Sequence, residues 1–380
     1  MYIEEFKKYY EKRHEYAKDF KKKHPDWKIV GTFCTYYPEE LMYAAKVLPV
    51  RILGSHEPQN VTEPHIFGMF CPFCRDVLAQ GLQGRYDYLD GIMIAQSCLH
   101  VRQSYTSWDL HIPVDFRYYL PMPHHLQSAR AKDFLKAELE KFKKALEDWT
   151  GNKITDEALD EAIEILNENR RLLRQAYDFR KKDNPPMTGL EAMYMVVSSQ
   201  MMHKKDHNEI LKNLIEKELP NRDLGIGDHI RLMVLGSEND DVEFLDMVET
   251  ITSNPAKFVI DDHCTGSRYF WNQVEPKADR LMAIAERYIN RPPCPTKDWP
   301  NRLRLEHDLN LAKEWNVQGA VLLQQKFCDP HECDIPIFQR AFEEQGIKTL
   351  FLELDVLVPV GQFKIRTEAF LETLSSEDLF

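Results

Sequence analysis

Short apolar runs alternate with amphipathic stretches at both ends of the chain, and a long, purely amphipathic middle separates them. Residues 1–24 place Tyr2, Phe6, Tyr9 and Tyr10 on one side of a helix that ends near His24-Pro25. Trp27–Phe33 reads as a short buried strand with Cys34 at its end. In Pro38-Glu-Glu-Leu41 an early proline and first-turn acids mark a helix start, and Val50–Leu53 reads as a second strand stopped by Gly54-Ser55. A helix follows Cys71-Pro-Phe-Cys74 to about Leu82 and is broken at Gly84. Tyr88–Ala95 is a strand with Gln96-Ser-Cys98 at its carboxyl end, and Val114–Leu120 is a further extended stretch.

At about residue 126 the period changes to that of helices, expected over Lys132–Trp149, Thr155–Phe179, Gly189–His203 and Asn208–Leu219. Thr155 and Thr188-Gly-Leu-Glu191 carry helix N-terminus signatures. The Met and aromatic residues here (Met193, Tyr194, Met195, Met201, Met202) read as core or helix contact. Alternation then resumes, with strands at Ile230–Leu235, Lys257–Ile260, Gly319–Leu323 and Thr349–Leu354. Helices are expected from near Asp240 and over Lys277–Tyr288, Leu303–Trp315 and Ile335–Gln345. The pattern predicts an α/β protein of two Rossmann-like parallel-sheet lobes, residues 1–125 with the N-terminal helix and residues 229–380, and a helical insert over 126–228.

A length of 380 residues agrees with two or three units. The charged amphipathic N-terminus has no signal-peptide core, no run approaches a membrane span, and a cytoplasmic location is expected. A net charge of −12 argues against broad nucleic-acid binding. In a reducing compartment the eight cysteines need an explanation other than disulfides.

Ligand sites of open parallel sheets lie at the carboxyl ends of the strands. Cys34, Cys98, Cys264 and Cys328 each fall within a few residues of such an end, in two different lobes, so an inter-lobe cleft would bring them together with Cys71 and Cys74. Thiolate-rich sites take zinc or iron–sulfur clusters. One C-x-x-C, a looser Cys328-x4-Cys333 and otherwise scattered cysteines favour a cluster between lobes over a zinc ribbon. A thioredoxin-like role for Cys71/Cys74 and a zinc-stabilised scaffold with no redox role are the other readings. His100, His263 and His331 lie near these cysteines and could lend a proton or a hydrogen bond, with polar lining as the plainer reading. The strand-end acids Glu39, Glu40, Asp261 and Asp262 read as helix-capping groups.

Taken in order, several features resemble one family. These are Gly31 to Pro38-Glu-Glu-Leu with Ala44-Ala and Pro49-Val, Cys71-Pro-Phe-x-Arg75, the strand ending at Cys98, Lys326-Phe-Cys328-Asp-Pro330, and Asp355 followed by Gly361-Gln-Phe-Lys-Ile-Arg366. Together they are similar to the 2-hydroxyacyl-CoA dehydratase/benzoyl-CoA reductase family, and most to the C subunit of the ATP-dependent reductase. The resemblance implies a [4Fe–4S] cluster held by Cys71, Cys98 and Cys328. Cys74 departs from the family pattern; with Cys34 and Cys264 it raises the thiolate count to six, which suits a double-cubane cluster. The resemblance also implies a homologous catalytic subunit and a separate ATP-hydrolysing activator as partners, and an aromatic acyl-CoA as substrate. The expected activity is reduction of benzoyl-CoA to a cyclohexadiene-carbonyl-CoA. A radical 2-hydroxyacyl-CoA dehydratase or a double-cubane reductase component are the alternatives. The sequence has no Walker-type phosphate loop, in keeping with ATP being handled by partner subunits.

Overall fold

The computed structural model describes residues 1–375. It contains two four-stranded parallel sheets. The first comprises β1 (Lys28–Thr32), β2 (Val47–Arg51), β3 (Gly91–Ala95) and β4 (Phe116–Leu120) in the order β2-β1-β3-β4. The second comprises β5 (Ile230–Gly236), β6 (Ala256–Asp262), β7 (Gly319–Gln325) and β8 (Lys348–Leu354) in the order β6-β5-β7-β8. The two orders are the same permutation, so each sheet reverses direction once, between β1 and β3 and between β5 and β7. Such a switch point opens a crevice at the strand ends.

Strands covered on both faces read as continuous apolar runs, and β2, β3 and β7 are buried at every position. On one face of the first sheet, Val30, Val47, Met93 and Phe116 meet Leu135, Leu139, Phe142 and Leu146 of the helix Ala131–Thr150. The helix Gly189–Ser199 packs on β6, and its Met193–Val197 run is buried. Helices of the middle segment thus cover both sheets. At the β5/β7 switch point Gly236 has φ +145°, and a Cβ there would lie 1.8 Å from the Leu323 carbonyl oxygen, a contact only glycine permits.

Thr188 and Glu191 form the expected reciprocal capping box, and the Thr155 hydroxyl caps its helix. Three readings differ. The first helix is two, Tyr2–Glu11 and Arg13–Lys23, broken at Lys12. β2 begins at Val47 rather than Val50 and contains Pro49; it is an edge strand with a ladder on one side only, where a missing N–H is tolerated. The helices Leu99–His111 and Val360–Ser375 follow β3 and β8 where the sequence pattern marked none, because neither has a strong apolar stripe.

Glu39 and Glu40 make no side-chain helix cap, and the strand-end acids form buried pairs instead. Glu40 accepts from Arg170 at 2.7 Å and from Tyr288 at 3.2 Å. Glu39 accepts from Tyr269 at 2.7 Å and faces Lys204 at 3.3 Å. Asp262 is clasped by Arg268 and Arg304, each at 2.9 Å. Burial opposes its charge, and the two guanidiniums still hold it well below the usual carboxylate range. Asp261 accepts from the Tyr177 hydroxyl at 2.7 Å and from the Ser267 amide at 2.6 Å. Apart from Ser267 and Arg268, six residues from the aspartates they bind, these buried partners come from distant segments. Among the described residues no helix is long and apolar enough to cross a membrane.

Candidate metal centre

All eight cysteines are free. Cys71, Cys98 and Cys328 line one cavity of about 360 Å³, together with Gln96, Ser97, His100, Arg102, His124, Thr296 and Asp329. The first two thiols come from the first sheet's lobe, and Cys328 follows β7 of the second. The cavity therefore lies where the carboxyl ends of both sheets meet. Arg75 and Lys326, one from each lobe, both pair with Asp355, at 3.4 and 3.3 Å.

Each of the three cysteines is the N-cap of a helix: Cys71 of Pro72–Leu82, Cys98 of Leu99–His111 and Cys328 of the single turn Asp329–Glu332. A proline in the first turn follows Cys71 and Cys328, fixing φ where the N–H would be unpaired. The Cys98 sulfur accepts from the Val101 amide at 3.5 Å. The His331 amide likewise favours the Cys328 thiolate. Helix N-termini thus turn unpaired amides toward the sulfurs and favour negative charge on them.

Cys74 has its side chain fully buried beside Cys71. Its hydrogen bond pulls the Cys71 thiol down to about 6 against the cost of burial, with His100 assisting. Cys74 itself is pushed well up by burial and by donating that bond. Burial also raises Cys98 and Cys328, and negative charge on neighbouring thiols adds to this. A cationic centre between them would relieve that repulsion and displace their protons.

Among the described residues no three His, Cys, Asp or Glu side chains converge as ligands of a single metal ion do. The cavity cysteines instead line one hollow between the sheets. The cavity's possible donors are three thiols, the imidazoles of His100 and His124 and one carboxylate, Asp329; the three thiols are of the soft type that iron–sulfur clusters use.

Of the other expected residues His100 is at the site and Cys34 lies close enough to act on Cys98, while the rest fall elsewhere. Cys34 and Cys264 do not line the cavity, and the Cys264 carbonyl accepts from Gln200 at 2.8 Å. Cys333 is exposed. His100 is at the site: its Nδ1 accepts the Cys71 amide at 3.1 Å, and its Nε2 lies 4.0 Å from Asp329. His263 is not on the cavity lining; its Nδ1 donates to the Ser237 carbonyl at 2.7 Å, and burial lowers its pKa and keeps it neutral. Burial does the same to His331.

Sequence reasoning passed over His124, which pairs with Gln96 at 2.9 Å on the cavity wall. It also passed over Cys294, which lies electrostatically beside Cys98 and Cys328. Cys294-Pro295 repeats the Cys-Pro pairing of Cys71-Pro72 and likewise caps a turn, Pro295–Lys297. That dipeptide was the available signal.

Fold and site define a two-sheet α/β protein that presents three helix-capping thiols to a cavity between its sheets. The chain belongs to the family described as 2-hydroxyglutaryl-CoA dehydratase, D-component, which it matches over residues 34–374. It is 30% identical over 351 residues to the (R)-phenyllactyl-CoA dehydratase beta subunit of Clostridium sporogenes, covering 91% of this chain and 92% of that protein. The beta subunit of lactoyl-CoA dehydratase from Anaerotignum propionicum is 28% identical over 351 residues, 91% of each chain. The C subunit of benzoyl-CoA reductase from Thauera aromatica is 24% identical over 342 residues, 87% of this chain and 86% of that protein. The motif resemblance to the reductase is therefore real, but identity is higher to dehydratase subunits.

Proposed function

We propose that the protein is the β-type subunit of a radical 2-hydroxyacyl-CoA dehydratase in which Cys71, Cys98 and Cys328 hold one [4Fe–4S] cluster. The observation that carries this reading is the meeting of these three helix-capping thiols around one cavity at the switch points of both sheets. Higher identity to two dehydratase beta subunits favours dehydration. The chain works beside a homologous catalytic subunit, and a separate ATP-hydrolysing activator supplies electrons.

When bound, the cluster supplies a single low-potential electron for a thioester-activated substrate. The chain's own residues hold and insulate it. The Val101 and His331 amides and the Cys74 thiol give hydrogen bonds to the ligand sulfurs, which tune their basicity. Cys74 keeps its proton as a donor in this arrangement, so the reading is a single cubane rather than a double one. Apolar packing behind Cys71 and Cys74 excludes water. With Nδ1 accepting the Cys71 amide, His100 carries its proton on Nε2, facing Asp329 at the cavity rim. The net reaction turns a 2-hydroxyacyl-CoA into a 2-enoyl-CoA plus water, and the electron is returned rather than consumed.

A benzoyl-CoA reductase subunit is the second reading, kept by the long match to the reductase relative. The complex reconstituted anaerobically with its homologous subunit, activator, ATP and reductant is expected to turn a 2-hydroxyacyl-CoA into the enoyl-CoA and to leave benzoyl-CoA unchanged. Reduction of benzoyl-CoA to a cyclohexadiene-carbonyl-CoA, with no dehydration, would overturn the proposal.

A further inference from the structure

Lys297 is buried, and among the described residues no acid pairs with it. Its side chain is fully enclosed, and its Nζ donates to one backbone carbonyl, that of Pro123, at 3.1 Å. The Tyr36 ring face lies 5.4 Å away. Among the described residues most other buried cations are treated differently, Arg51 being the exception with unpartnered guanidinium nitrogens. Lys204 has Glu39, Arg170 has Glu40, and Arg268 and Arg304 share Asp262. Arg287 and Arg291 lack a carboxylate but are each held by at least two backbone carbonyls. An ammonium buried with one neutral partner is a costly arrangement unless negative charge arrives from elsewhere.

The groups positioned to bring that charge are thiols. Burial lowers the Lys297 pKa to about 8, and the nearby thiols of Cys294, Cys34 and Cys98 act in the opposite direction. Cys98 is one of the three cavity thiols, and Thr296, the residue before Lys297, lines the same cavity. The Thr296 and Ser97 hydroxyls are buried there with no partner among the described residues. The cationic surroundings of the cavity include Arg102; burial, Lys297 and Arg102 together lower the pKa of His124, and Arg291 lies over the Tyr36 ring at 4.5 Å. Lys297 is the one of these that is both buried and without an acid or a second carbonyl.

We infer that Lys297 is the internal counter-charge of the thiolate centre, a positioning residue that makes the cluster easier to reduce. This rests on the proposed cluster at Cys71, Cys98 and Cys328. Uptake of one electron adds one negative charge to the centre, and a fixed positive charge across a low-dielectric wall favours that state. The lysine touches neither substrate nor reacting atoms and acts only through the field at the sulfurs.

The test compares wild type, Lys297→Met and Lys297→Arg, purified anaerobically. Each is analysed for iron and acid-labile sulfide, then reduced stepwise with titanium(III) citrate under electron paramagnetic resonance. Methionine keeps the stem and removes the charge, and arginine keeps the charge. The expected result is full iron in wild type and Lys297→Arg, and a more negative midpoint in Lys297→Met. A tenfold loss of the reduced-to-oxidised ratio at fixed potential would correspond to about 59 mV for one electron. Loss of iron from Lys297→Met alone would also support the inference. An unchanged midpoint with full iron in all three proteins, or equal loss of iron from both variants, would overturn it while leaving the proposed function intact. Wild-type protein that binds no iron would overturn the proposed function and this inference with it.

Discussion

Cys71, Cys98 and Cys328 occupy the N-cap position that serine, threonine or aspartate usually takes. At that position a thiol gains unpaired amides and the positive end of the helix, both of which favour the thiolate. The local pattern pointed to Cys98 and Cys328 together with Cys34 and Cys264 at strand ends and to the Cys71/Cys74 pair, and only the family resemblance narrowed these to Cys71, Cys98 and Cys328. Lys297 and Cys294 were not legible, because they lie in an irregular loop whose partners, Tyr36, Pro123 and Cys98, come from much earlier in the chain. His56 was equally silent and yet ties the two lobes together. Its amide donates to Asp76 at 2.8 Å, and its ring meets Asp240 at 2.9 Å and Asp241 at 3.6 Å. Burial alone would lower its pKa, but the two carboxylates outweigh this and raise it from 6.5 to about 10. A raised folded-state pKa contributes stability that is complete below the unfolded value and lost as pH rises through the folded one. Wild type should therefore melt above His56→Gln by its widest margin below pH 6.5, and the gap should close by about pH 10. A gap independent of pH would show that the ring packs without carrying charge.

At the scale of elements, the helices Pro72–Leu82 and Leu99–His111 hold two of the three thiols in register by packing on each other. The close point is Gly81 against Trp108, where a Cβ would approach the indole to 2.5 Å. Trp108 is buried and packed edge-on to Phe33 at 5.5 Å, so it has little room to give. Gly81→Val should cost about 1–3 kcal/mol through overpacking, read as a lower urea midpoint with an unchanged slope, and should loosen the Cys71–Cys98 spacing. An unchanged midpoint would mean that the helices do not depend on this contact. The first of these helices was legible from its apolar run and proline start. The second was not, since Leu99–His111 alternates polar and aromatic residues without a clean stripe and is identified by its cap and its partner. β2 was misplaced for a related reason: Pro49 argues against a strand in any local reading, and only an edge position admits it.

For the whole molecule, the same strand permutation occurs twice, and two switch points open toward one cavity. The alternation of apolar runs was enough to predict two parallel sheets, because parallel strands are buried on both faces and cannot alternate with water. It could not show that the orders coincide, which depends on crossover paths, or that the middle helices cover both sheets. Nor could motif likeness separate reductase from dehydratase, since relatives of both names match the chain over most of its length, at 30% and 24% identity. What both readings share is the cluster, so the most direct measurement is an iron and acid-labile sulfide count on anaerobically purified wild type, Cys98→Ser and Cys264→Ser. About four iron and four sulfide per chain are expected in wild type and Cys264→Ser, with loss from Cys98→Ser. Stoichiometric zinc without iron, a count near eight iron per chain, or iron retained in full by Cys98→Ser would contradict a single cubane held by Cys71, Cys98 and Cys328.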